Sequence, residues 1–155
     1  MTYDPALPRP AYLPMPRPTH YAVSLRLAPE AEDCLIPNVT LLRLCVALAM
    51  QRTRFDLIAA VVLPRELHML CEVADRSLGM DRAIRMICST FEEHANMDGP
   101  IWQAQEDPLE ISPAVLALRA RFIEAAPVRA GLVGRAEDWP HSSVHKRGEL
   151  GIAVA

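Results

Sequence analysis

The sequence lacks the features that mark membrane spans, secretion signals and the common nucleotide-binding folds. Its longest apolar runs have only 7 residues, as in residues 57–63, and are far shorter than the roughly 18 to 20 residues that cross a bilayer. The N-terminus has no basic segment followed by an apolar one, as a signal peptide would. The 6 glycines do not cluster, which argues against a phosphate-cradling loop or a dinucleotide fingerprint. We therefore expect a cytoplasmic protein without membrane contact.

Cysteine and excess charge are also scarce. Each of the 4 cysteines, Cys34, Cys45, Cys71 and Cys88, stands alone in an apolar pattern without the paired spacing of a zinc site. We expect buried, reduced thiols. The net charge of -3 and the pI near 5.9 argue against a broad basic face for nucleic acid, although local basic patches remain open.

The 155 residues, of which 51% are hydrophobic, are enough for one domain with a core. Residues 1–19 hold six prolines and are predicted to form an extended arm, because proline interrupts helices and central strands. The predicted domain spans residues 20–145, and residues 146–155 form a tail. One hypothesis for the arm is a docking segment for a protein partner.

The spacing of apolar residues predicts the secondary structure of the domain. A period of two indicates strands, and spacings of three and four indicate helices. Strands are predicted over residues 20–27, 56–63 and 66–73, and helices over residues 38–52 with Asn38 as N-cap, 78–95, and from Ser112 to the residue before Pro127. Because only Pro64 and Arg65 separate the second and third strands, these two should pair antiparallel. The order predicts an α+β fold of ferredoxin-like topology, with helices on one face of an antiparallel sheet.

Three polar residues share one face of the third predicted strand. Glu66 and His68 are two residues apart and Glu72 lies further along, so the three side chains point to the same side. Carboxylate and imidazole are competent ligands for a divalent metal. The same pattern is also typical of a strand that faces solvent, and periodicity does not decide between the two.

Two further groups of residues have alternative readings. Arg82 and Arg85 flank the apolar stripe of the second predicted helix and are candidates for phosphate contacts, although nearby acidic residues also fit a solvated face. Trp102 and Trp139 are interpreted as anchors at the edge of the core, because the chain lacks the interleaved aromatics of single-strand binders.

Four segments, in order and spacing, resemble a known family. They are VVLPRELHMLCEV (61–73), IWQ (101–103), RFIEAAPVRAGLV (121–133) and RAEDWPHSS (135–143). Together they resemble the REP-associated tyrosine transposases, which are single-tyrosine HUH endonucleases. The resemblance runs from about residue 21 to residue 143.

The resemblance implies a specific chemistry. In this family two histidines on a strand bind Mg or Mn, and the ion polarises a phosphate of single-stranded or hairpin DNA. A tyrosine on a later helix attacks that phosphate, which is covalent catalysis assisted by a Lewis acid. An asparagine four residues after the tyrosine helps to complete the site.

Mapped onto this sequence, the family site is incomplete. Glu66 stands at the first histidine and His68 retains the second, while Phe122 stands at the nucleophile and Ala126 at the asparagine. Phenylalanine has no hydroxyl and cannot form a phosphotyrosine. The chain is thus expected to be a degenerate member, with the Mg or Mn site weakened or lost. Arg129, within the PVRAGLV motif, joins the candidate nucleic-acid contacts.

Phe122 also has a purely structural reading. Its helical spacing with Val115 and Leu118 predicts that it packs on the sheet, so that the former site becomes core.

Three functions remain open at this point. The first is a DNA-binding or regulatory protein derived from a transposase that no longer cuts and rejoins DNA by the tyrosine route. The second is a metal-dependent phosphodiesterase that uses Glu66, His68 and, in one version, Glu72. The third is a protein-interaction module on the same scaffold.

Overall fold

The segments with a period of two form most of one antiparallel sheet. The computed structural model describes residues 17–75 and 79–146, and within these residues the sheet has four strands. The elements in chain order are β1 (Thr19–Arg26), α1 (Val39–Thr53), β2 (Phe55–Val62), β3 (Glu66–Val73), α2 (Asp81–His94), β4 (Leu109–Ile111), α3 (Leu116–Glu124) and α4 (Ala126–Arg129).

The strands follow the order β2-β3-β1-β4, and all neighbours are antiparallel. With two helices inserted between the strands, this is the ferredoxin-like arrangement that the sequence predicts. The tight turn between β2 and β3 is confirmed, because the Leu63 amide donates to the Glu66 carbonyl oxygen at 2.8 Å. The α+β fold class is therefore confirmed.

Strand β4 was not predicted from the sequence. It has three residues, Leu109–Ile111, and pairs with β1 through the register of His20 with Ile111. Two of its three residues are exposed, so it carries no recognisable alternation. Its place at the edge of the sheet depends on pairing with β1, which no local pattern reveals.

The sheet is covered on both faces. The first face packs on α1 and α2 and buries residues such as Leu25, Met69 and Phe91. The second face packs on α3 through Val61, Leu70, Ile123 and their neighbours. The prediction that the helices share one face is correct for α1 and α2 and wrong for α3. The physical reason is that the second face also carries apolar residues that must be covered.

The two predicted helix caps behave differently in the structure. Asn38 precedes α1, but its side chain donates to the Cys34 carbonyl oxygen at 2.8 Å and makes no capping bond. It braces the loop before the helix instead. Ser112 does act as predicted, since its hydroxyl accepts a hydrogen bond of 3.3 Å from the Ala114 amide. It caps a 3-10 turn, Pro113–Val115, that leads into α3.

The two tryptophans are anchors of the core, as predicted. The Trp102 indole donates to the Cys88 carbonyl oxygen at 3.2 Å and meets the Phe91 ring edge to face. The Trp139 indole donates to the Val62 carbonyl oxygen at 2.8 Å. All four cysteines are buried and free, and burial raises the pKa of the Cys88 thiol to about 12.

The DWPHSS segment closes the outer edge of β2. The Val62 amide donates to the His141 carbonyl oxygen, and the Ser143 amide donates to the Ala60 carbonyl oxygen, both at 2.9 Å. The Ser143 hydroxyl donates to the buried carboxylate of Glu124 on α3 and accepts from the Ala60 amide. This motif therefore joins the sheet edge to the helix that carries Phe122.

Several predictions fall on residues outside the described ranges. They concern most of the proline-rich arm, with its proposed docking role, the start of the second helix at Leu78, and the tail after Lys146. Strand β1 begins at Thr19, one residue before the predicted start of the domain. In the described part of the chain, no helix combines the length and apolar character that crossing a membrane requires.

Candidate nucleic-acid site

A cavity of about 470 Å³ opens between the second face of the sheet and the helices α3 and α4. Strands β1 and β3 form its floor, since alternate residues of each strand point to this side. The helices supply the opposite wall. The side chains with a chemical role that line it are Ser24, Arg26, Glu66, His68, Arg119, Phe122 and Arg129, together with the small Ala126.

The fold brings most of the predicted site residues together. Glu66 and His68 come from β3, and Phe122, Ala126 and Arg129 come from α3 and α4, yet all five line this one cavity. The two groups are more than fifty residues apart in sequence. The tertiary structure therefore brings together residues that were identified in separate segments of the sequence.

Arg82 and Arg85 lie elsewhere. Both are exposed on α2, which packs on the first face of the sheet. The sheet therefore separates them from the cavity. Their predicted contact with nucleic acid stays a prediction, and it would need a second surface.

Glu72 is also outside the cavity. Its carboxylate accepts a hydrogen bond of 2.8 Å from Nε2 of His20 on β1. Four residues of strand separate it from His68, which corresponds to roughly 13 Å. The two side chains share a face, as predicted, but they do not share a site.

A chain of hydrogen bonds crosses the cavity floor. His68 Nδ1 lies 2.8 Å from the Ser24 hydroxyl, and His68 Nε2 lies 2.9 Å from Glu66 Oε2. Glu66 Oε1 accepts from Arg26 Nε at 3.0 Å. Arg26 in turn donates to Glu106 at 2.8 Å. The antiparallel register, which pairs Ser24 with His68 and Arg26 with Glu66, produces this chain.

These partners favour the ionised form of Glu66. Partial burial alone would raise the pKa of its carboxyl group. The hydrogen bonds and positive charges of His68 and Arg26 outweigh burial and lower the pKa below its ordinary value. Glu66 is therefore a carboxylate at neutral pH, held between a ring nitrogen and a guanidinium.

Both ring nitrogens of His68 have a hydrogen-bond partner inside the protein. An ionised carboxylate only accepts hydrogen bonds, so His68 Nε2 donates to Glu66. Nδ1 forms a hydrogen bond of 2.8 Å with the Ser24 hydroxyl. Both ring nitrogens are therefore engaged.

The donor set does not fit a divalent metal. His68 would need a free nitrogen lone pair, and both nitrogens are engaged. Glu66 is bonded on both oxygens, and one of these bonds comes from the guanidinium of Arg26, which would repel a second cation. In the stretches 17–75 and 79–146, no three histidine, cysteine, aspartate or glutamate side chains form a group able to hold a metal ion.

Phe122 faces the cavity mouth and solvent. Its side chain is 51% exposed, and Val115 and Leu118 on the same stripe are exposed as well. The prediction that this stripe packs on the sheet is wrong, because α3 turns a different stripe inward, with Ala120 and Ile123 buried.

Two guanidinium groups accompany the Phe122 ring. The guanidinium carbon of Arg129 lies 3.8 Å from the ring centroid and that of Arg119 lies 5.3 Å away. Arg129 also donates to the Phe122 carbonyl oxygen. Both arginines line the cavity.

Three lining residues were missed from the sequence. Ser24 and Arg26 enter through the register of β1 with β3, which a strand pattern alone does not give. Arg119 lies three residues before Phe122, one turn away on the same helix face. This spacing could have identified Arg119 from the sequence.

The fold was compared with solved structures. One of them, a REP-associated tyrosine transposase bound to a REP hairpin, matches with a TM-score of 0.80, over 90% of this chain and 85% of that chain. This chain has the fold of that transposase. The two sequences are 20% identical, so the likeness establishes the fold alone. What this cavity can do chemically has to be argued from its own residues. No protein-family model matches the chain, and no curated protein matches its sequence.

Proposed function

We propose that this chain is a DNA-binding protein on a transposase scaffold that does not cut and rejoin DNA by the tyrosine route. The observation that carries the proposal is Phe122, which stands beside two guanidinium groups at the mouth of the cavity. In the family that the sequence resembles, this position holds the tyrosine nucleophile. Its ring can hold arginines in place, but it has no oxygen that could attack a phosphate.

DNA binding is supported by the fold and by the charges of the cavity. The solved structure with this fold is bound to a REP hairpin. Here, Arg119 and Arg129 line the cavity, and guanidinium groups suit bidentate contacts to phosphate oxygens. The overall charge of -3 implies that binding is local to this cavity and weak at high salt.

The described residues offer no replacement tyrosine at the cavity. Tyr21 lies on β1 and packs against the core of the first face. Tyr3 and Tyr12 lie outside the described residues. A DNA-binding or regulatory role thus uses the shape of the scaffold without a phosphotyrosine step.

The test is fluorescence anisotropy with a labelled DNA hairpin that carries single-stranded flanks. We expect binding in low salt that weakens as salt rises. Arg119→Ala and Arg129→Ala should each weaken binding about tenfold, the loss expected for one charged hydrogen bond. Arg52→Ala, an exposed arginine at the end of α1, is the matched control and should bind like wild type. If no binding is seen at any salt concentration, the proposal is wrong.

The same assay decides on Arg82 and Arg85. If α2 forms a second DNA surface, the double variant Arg82→Ala/Arg85→Ala should lose affinity for long duplexes and keep its affinity for the short hairpin. Because the sheet separates α2 from the cavity, a short hairpin should not contact both. If the double variant binds both probes as tightly as wild type does, these two arginines are not part of the interface.

A further inference from the structure

The cavity differs from a metal-dependent phosphate site in where its positive charge comes from. A divalent ion normally supplies that charge and needs carboxylate or imidazole ligands. Here, the carboxylate of Glu66 on the cavity floor is bonded to the guanidinium of Arg26 at 3.0 Å. A fixed side-chain cation therefore already lies against the group that would have held the ion.

Arg26 has a second effect on phosphate binding. An isolated glutamate in the cavity would repel a phosphate group. The guanidinium of Arg26 balances the charge of Glu66, and Glu106 at 2.8 Å holds Arg26 from the other side. Within the cavity lining, Arg26 and Glu66 therefore balance each other, whereas Glu106 is not part of the lining. The remaining positive charge of the lining comes from Arg119 and Arg129 in the wall.

One of the two wall arginines, Arg129, is held by two contacts with Phe122. Arg129 is stacked 3.8 Å from the centroid of the Phe122 ring, and its Nη1 donates to the Phe122 carbonyl oxygen. Stacking uses the flat face of a guanidinium and leaves donors along its edge. A phosphate oxygen in the cavity can therefore be met by a guanidinium that does not have to be ordered first.

From these contacts, we infer that the cavity binds a phosphate group through Arg119 and Arg129 without a divalent metal, and that the bond from Arg26 to Glu66 is what keeps the metal out. This inference rests on the proposed function only for its DNA ligand. The claim about metal concerns the residues of the floor alone. The two claims can therefore be tested separately.

The first experiment titrates Mn into the full chain by calorimetry in the absence of DNA. Wild type should give no binding heat. The double variant Arg26→Ala/Glu66→His removes the guanidinium and places a second imidazole two residues from His68. This variant should bind Mn. Thermal unfolding of both proteins without metal checks that each is folded. Mn binding to wild type would overturn the inference, whatever the DNA assays show.

The second experiment measures hairpin binding in EDTA and in Mn. The affinity of wild type should be the same in both, within twofold. The double variant should bind more tightly in Mn than in EDTA. If wild type binds only in Mn, the inference is wrong while the proposed function stands. If wild type binds in neither condition, the proposed function fails, and the calorimetry still decides the claim about metal.

Discussion

Arg129 contacts Phe122 in two ways. Its guanidinium carbon lies 3.8 Å from the centroid of the Phe122 ring, and its Nη1 donates a hydrogen bond to the Phe122 carbonyl oxygen. Phe122 nevertheless stays 51% exposed. Phe122 is thus a platform for a charged group at the rim of a cavity, and its loss should affect binding more than folding.

Phe122→Ala should lower the free energy of unfolding by less than about 1 kcal/mol, because a half-exposed ring loses little buried area. Phe91→Ala is the matched comparison: Phe91 is 0% exposed, and its truncation should cost about 3–5 kcal/mol. Urea unfolding of both variants measures the difference. A large loss at Phe122 would restore the view of this residue as core.

The bonds of Glu66 predict a pH dependence. Its folded pKa is lowered, so its contribution to stability is fully present above the unfolded pKa and is lost as pH falls through the folded pKa. Glu66→Gln keeps the shape of the side chain and removes the charge. At pH 7, the variant should be less stable than wild type by about 1 kcal/mol or less, as is usual for partly exposed pairs.

That difference between wild type and Glu66→Gln should shrink in urea unfolding between pH 5 and pH 3. Glu93→Gln, an exposed glutamate on α2, is the control for the general effect of removing a carboxylate. A difference at Glu66 that stays constant across this range would show that the carboxylate is not coupled to His68 and Arg26.

Ser143 should be important for stability although it does not line the cavity. Its hydroxyl donates to the buried Glu124 carboxylate and accepts from the Ala60 amide at 3.0 Å. Ser143→Ala removes both bonds and should cost about 1–3 kcal/mol. Ser142→Ala loses only a bond of 3.2 Å from the Val144 amide and should cost less than about 1 kcal/mol. Equal effects in thermal unfolding would contradict a specific role for Ser143.

The strands and their faces were predictable because alternation is a local property. Glu66 and His68 were assigned to one side of β3 from spacing alone, and both do point into the cavity. The side of the sheet on which α3 packs was not predictable in this way. It depends on the apolar residues that several strands together present on the second face, including Ala59 and Leu70.

The composition of the site was only partly predictable. Ser24 and Arg26 were missed because their meeting with His68 and Glu66 requires the register of β1 with β3. The orientation of Phe122 was predicted wrongly because a helical spacing defines a stripe without saying which stripe faces the sheet. Ala120 and Ile123 fill that inner stripe instead.

The central claim is that this chain has the fold of the transposase but does not cut and rejoin DNA through a phosphotyrosine. Its most direct test is a denaturing gel for a covalent adduct between the protein and a labelled single-stranded hairpin, in Mg and in Mn. An active transposase of the same fold is the positive control, and the triple variant Glu66→His, Phe122→Tyr, Ala126→Asn tests whether the scaffold still supports the reaction. We predict no adduct with wild type and an adduct with the triple variant in Mn. An adduct formed by wild type would contradict the account.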